Sequence, residues 1–210
     1  TVGAITYEAI SHFLTGNISR AKRCVDQGKR LAIRAGMHEF HLYLLLIETR
    51  IAFEIGEYER AETICAEALR ECELYGMERP VATFEAWQCR ALTHCRKWNG
   101  LESRFSEIER TGEARFFEAE AWYIAGDYDR ARSILEEAAG DALENKPRTA
   151  TFRIKWGGGY SAVEGAALRN YEGLGTLSMQ IRAFLAFLRC YGDAPAEPVM
   201  ELTRITRDEK

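Results

Sequence analysis

Apolar residues recur every three or four positions along most of this chain, the period of helices that bury one face. In ERAETICAEALRECELYG, Ala61, Ile64, Cys65, Ala68 and Leu69 fall on one stripe. The segment before it, EFHLYLLLIETRIAFEI, is amphipathic at the same period. Gly56-Glu57-Tyr58 stands between the two. The pattern predicts two helices joined by a tight turn, in which glycine ends the first helix without a Cβ penalty and the aromatic packs back into the pair.

The unit repeats. TGNISRAKRCVDQGKRLAIRAGM begins at Thr15 and IGEYERAETICAEALRECELYGM at Ile55, so Gly16 aligns with Gly56, Arg20 with Arg60, Ala21 with Ala61, and Gly36-Met37 with Gly76-Met77, a period of about 40 residues. AGDYDRARSILEEA, from Ala125, is a further copy, and RKWNGLESRFSEI, from Arg96, is a degenerate one carrying Trp98, Leu101 and Phe105 in the shared positions. Small residues recur where paired helices must approach: Ala9, Thr49, Cys89 and Ala119 on first helices, Ala21, Ala61 and Ala131 on second helices. These spacings predict an all-α chain with repeats near 2–38, 42–78, 82–110 and 112–143.

AWYIAGDYDRARSILEEA and IETRIAFEIGEYERAETICAEAL resemble the tetratricopeptide (TPR) repeat. The second-helix pattern of alanine, bulky residue, alanine is met by Ala61, Cys65 and Ala68, and by Ala131, Leu135 and Ala138. The bulky aromatic late in the first helix is kept by Trp122 and replaced by His12, Ala52 and Leu92. The unit is also longer than the usual repeat and is similar to the arrays of signalling adaptors and bacterial multidomain regulators. The resemblance implies a right-handed superhelical solenoid of antiparallel helix pairs over 1–192, with a divergent last pair at 160–191. Residues 193–210 are then a linker and short C-terminal helix or cap.

In such an array the first helix of each repeat lines the concave face. The register places Tyr7 and Ile10 there from the first repeat, and Tyr43, Ile47, Arg50 and Glu54 from the second. Thr83, Trp87, Arg90 and His94 come from the third, and Glu113, Phe117, Glu120 and Ile124 from the fourth. Arg50 and Arg90 occupy one slot in adjacent repeats, close enough to grip one carboxylate or acidic segment, with Trp87 and Phe117 as apolar anchors. Glu54, Glu113 and Glu120 supply the competing outcome, an internal charge network on a solvated face. The lysine and asparagine set with which chaperone-binding TPR domains clamp a C-terminal carboxylate does not occur in the matching slots, so that partner is not assigned.

Composition narrows the remaining classes. With 32 acidic against 28 basic residues, the chain has no basic footprint for nucleic acid or anionic membrane. No apolar run reaches membrane-spanning length. The opening on Thr1 without methionine fits a segment cut from a longer protein. The six cysteines form no CxxC pair and mostly lie in apolar stripes, which predicts reduced thiols packed as small hydrophobes and a cytoplasmic setting. His38 and His41 lie one helical turn apart without a third ligand nearby in sequence, so no metal site is assigned.

TFRIKWGGGYSAVEGAAL, at 151–168, looks in isolation like a strand, glycine loop and helix start that cradles a phosphate. No acidic residue follows at the spacing a dinucleotide site needs, and no P-loop lysine is present. Gly157–Gly159 read better as part of an irregular, partly extended connection near 144–160. No catalytic constellation and no cofactor motif stands out. The expectation is a non-catalytic scaffold that recognises a protein or peptide, with an acidic segment as one form of ligand. The alternative is a sensory, regulatory or oligomerisation module of a larger bacterial transcription regulator or signalling enzyme, taking a small ligand or regulatory protein.

Overall fold

The computed structural model describes residues 1–108 and 111–144, and among them every regular element is a helix. The irregular connection, the pair at 160–191 and the cap at 193–210 lie outside the described residues. The chain divides into two compact units, Thr1–Glu109 and Arg110–Lys210. The first holds α1 (Val2–Leu14), α2 (Ile18–Arg34), α3 (His38–Glu54), α4 (Tyr58–Tyr75), α5 (Val81–His94) and α6 (Leu101–Glu107). The second holds α7 (Gly112–Ala125) and α8 (Tyr128–Glu144).

Within the first unit, α2 packs against both α1 and α3, α4 against both α3 and α5, and α6 against α5. The odd-numbered helices also touch in series, α1 to α3 and α3 to α5. This is the neighbour-only packing of a helical-repeat solenoid. α3 therefore has helices on several sides, and its sequence answers that position. Leu44, Leu45, Ile47 and Ile51 are at most 1% exposed. Each contributes roughly 1.5–3 kcal/mol by leaving water.

The small residues of the repeat sit at the closest approaches. Ala9, Thr49 and Cys89 on the first helices are fully buried, as are Ala21 and Ala61 on the second. Thr49 satisfies its hydroxyl within its own helix, donating to the Leu45 carbonyl at 2.9 Å. At Gly28 an added Cβ would lie 2.9 Å from Leu44 Cδ1, so a side chain there would force the Leu44 tip to shift.

One turn design joins the pairs. The amide of Asn17 donates to the His12 carbonyl, Glu57 to Ala52, and Lys97 to Leu92, at 2.7, 2.8 and 2.9 Å. These bonds satisfy carbonyls that the helix end would otherwise orphan. The geometry needs a left-handed residue, supplied by Gly56 at φ 80° in the second pair. In the third pair the same slot holds Arg96, at φ 56°, the one described non-glycine residue with positive φ.

In the second unit, Ala119, Ala131, Leu135 and Ala138 form the buried seam between α7 and α8, flanked by Phe116, Trp122, Tyr123 and Ile134. Thr111 caps α7 by accepting from the Ala114 amide at 3.1 Å. The Asp127–Trp122 turn bond, 2.9 Å, repeats the design of the first unit.

Candidate functional site

α3 and α5 carry most of the residues that the repeat register singles out in the first unit. Arg50 lies on α3, and Trp87, Arg90 and His94 on α5. Arg90 reaches the Trp87 ring from one turn along α5 and Arg50 reaches it across from α3, their guanidinium carbons 5.1 and 5.4 Å from the centroid. Arg90 also lies 4.1 Å over Phe53. A cation over an aromatic face is attracted by the ring quadrupole, about 0.5–2 kcal/mol per contact depending on desolvation.

Aromatic rings brace this centre from below. Phe53 meets Trp87 edge-on at 5.6 Å, His94 at 4.8 Å and Tyr58 at 5.0 Å. Tyr58 and His94 are themselves 4.7 Å apart. Trp87 is only 5% exposed, so its indole is a platform beneath the guanidiniums. Ile47 is fully buried and belongs to the core. Tyr43, Arg50, Thr83, Arg90 and His94 are half-buried, and Glu54 is exposed at the end of α3. Tyr7 is exposed, whereas Ile10 is buried.

The remaining candidates belong to the second unit. Phe117 is 3% exposed and stands 6.1 Å from Phe116. Glu113 and Glu120 are half-buried, and Ile124 is exposed. Nearby, Arg130 stacks on Trp122 at 3.7 Å, a second arginine–indole contact within one helix pair.

A charged belt ties the helices on which the arginine cluster is built. Glu48 receives Lys29 of α2 at 2.6 Å and Arg60 of α4 at 3.0 Å. Burial alone would raise the Glu48 carboxyl, but these two cations hold it below the usual carboxylate range. Glu57 continues the belt, pairing with Arg60 at 3.1 Å and Lys22 at 3.6 Å. In the next repeat Gln88 takes the place of Glu48, donating to Glu62 at 3.0 Å and accepting from Arg104.

Histidines and cysteines divide by environment. His41 pairs with Glu71 at 2.8 Å, and His38 stacks on Tyr75 at 3.7 Å, so both fasten α3 to α4. Burial drives the Cys65 thiol up to about 12 and Cys89 up to about 11, which keeps both protonated and unreactive. Cys24 and Cys95 are only half-buried. Cys24 gathers with Glu8 and His12 into the sole group of three or more metal-type ligands among the described residues.

Two members of the arginine centre, Phe53 and Tyr58, were not legible as site residues. They lie on opposite sides of a turn, and only the folding of that turn places both rings against α5. The cluster of Glu8, His12 and Cys24 was not legible either, because its ligands look separately like a solvated face and an apolar stripe. Compared with known proteins, the chain matches no family model and no curated relative.

Proposed function

We propose that the chain is a TPR-like, non-catalytic binding module whose first unit recognises an acidic peptide segment through Arg50 and Arg90. The observation that carries this reading is the placement of two arginines from successive repeats over one indole. A guanidinium presents its N–H donors in its own plane, the direction from which carboxylates pair in bidentate fashion. Attraction to the ring also restricts the side chain before a partner arrives, which lowers the ordering cost of binding. Adjacent carboxylates on one extended segment therefore suit two guanidiniums gathered about one indole.

The small-ligand alternative has less support. A surface built of braced side chains on packed helices fits a peptide better than an enclosed metabolite.

Calorimetric titration with peptides carrying paired glutamates tests the proposal. Replacing both arginines with alanine should weaken binding on the order of 10-fold or more, since each hydrogen bond to a charged group contributes about 1.5–3 kcal/mol. Helix content by circular dichroism should stay unchanged. Equal affinity of the native and doubly substituted proteins would sink the reading.

A further inference from the structure

The first helix pair carries a constellation that the arginine face does not use. Glu8 and His12 stand one turn apart on α1, with Nε2 and Oε1 3.6 Å apart. Cys24 joins them from α2. One ligand atom from each of the three residues lies within 4.8 Å of the others. We propose that Glu8, His12 and Cys24 form a binding site for a transition-metal dication of the zinc type, with water in the fourth position.

The donor set argues for the class of ion. Thiolate and imidazole favour zinc and its neighbours, whereas magnesium and calcium seek oxygen. Zinc takes sulfur at about 2.3 Å and imidazole nitrogen or carboxylate oxygen at about 2.0–2.2 Å. Ligand atoms around such an ion therefore lie about 3.3–3.8 Å apart in a tetrahedron. The triad needs to contract by at most about 1.5 Å, and the Glu8 side chain, 60% exposed, has room to turn. A carboxylate and a histidine four residues apart also share one helix face, the spacing by which helical metal motifs present two ligands.

The supporting structure is packed rather than loose. The His12 carbonyl accepts from the Asn17 amide at 2.7 Å and from the Thr15 hydroxyl at 3.2 Å, fixing the end of α1. Ala21, fully buried one turn before Cys24, seats α2 in the helix pair. Ligands on packed helices are placed more accurately than ligands on loops.

Charge sets the expected strength. Arg20, Arg23 and Gln27 line the same cleft of about 300 Å³ as the triad. The two arginines oppose an incoming dication. Ionised Cys24 and Glu8 together offset a zinc ion's two charges, because the bound metal displaces the thiol proton. Binding is therefore coupled to proton release and strengthens as pH rises.

Cobalt(II) titration of the full, metal-stripped chain under reducing conditions tests the site. The expected result is one cobalt per chain with a thiolate-to-cobalt charge-transfer band that zinc abolishes. Cys24→Ser should remove the band, and Glu8→Gln and His12→Ala should each weaken cobalt binding at least 10-fold. Cys95→Ser and Cys190→Ser should leave it intact. Glu8→Gln alters an exposed side chain, so its effect is readable even if another variant folds poorly. A titration without the band, or a band that survives Cys24→Ser, would overturn the proposal.

Discussion

The second and third helix pairs of the first unit share one register but fill it differently. In the second pair, an 18-residue α4 places Ala61, Cys65 and Ala68 against its neighbours, all fully buried. In the third, a 7-residue α6 places Leu101 and Phe105 in the first two of those positions, with Ile108 just beyond its end in the third, each 4–5% exposed. Small residues let two long helices approach closely and share a long seam. A helix of two turns has no long seam to share, and larger side chains restore the lost apolar area. The repeat is therefore conserved within this chain as a pattern of buried positions, while residue size varies with helix length.

Reciprocal substitution breaks this comparison most severely. Leu101→Ala should cost about 2–4 kcal/mol, because a short helix loses one of its few anchors and leaves a cavity. Ala61→Leu should cost about 1–3 kcal/mol by overpacking the close seam. Hydrogen exchange assigns each loss to its own pair: faster exchange in α5 and α6 for the first, in α3 and α4 for the second. Equal tolerance of both changes would show that size and helix length are not matched.

The belt residues separate the pairs by charge. Glu48→Gln should lower stability by about 1–2 kcal/mol at neutral pH, since it leaves Lys29 and Arg60 without their shared carboxylate. The Glu48 carboxyl is held below its usual value when folded. Its stabilisation is then complete above the unfolded carboxyl pKa, about 4.3, and is lost as pH falls through the lower folded value. Denaturation at pH 7 and in the acid range should show native and variant proteins converging in acid. In the next repeat, Gln88 does not titrate and gives that pair no comparable pH dependence.

The smallest expected effect lies at the turns. Arg96→Gly should stabilise the third pair by about 0.5–1 kcal/mol, because its slot demands a left-handed backbone that arginine adopts at a cost. Gly56→Arg should destabilise the second pair by about 1 kcal/mol, since no neighbouring atom offsets the same backbone cost. Thermal melts of both variants check the signs, and a stabilised Gly56→Arg protein would contradict the shared turn design.

Much of this was legible because helical repeats write their packing into sequence spacing. Ala21 and Ala61 announced the close approaches, and the slot shared by Arg50 and Arg90 lies beside Trp87 in both cases. The brevity of α6 was less visible, because Leu101 and Phe105 keep the apolar period whatever the helix length. Phe53 and Tyr58 were hidden by the turn between them. Glu8, His12 and Cys24 were hidden by distribution over two helices: periodicity reports which face a residue occupies, not which side chains meet across a seam. Trp87 was legible in position but not in role, since spacing cannot say that two cations would cover its ring.

The central claim is that the arginine pair reads carboxylates, and exchanging charges across the contact tests it most directly. Native protein should bind a peptide with paired glutamates and reject its lysine counterpart. Arg50→Glu combined with Arg90→Glu should invert that preference while the helical spectrum stays unchanged. A doubly substituted protein that still favours the glutamate peptide would contradict the account.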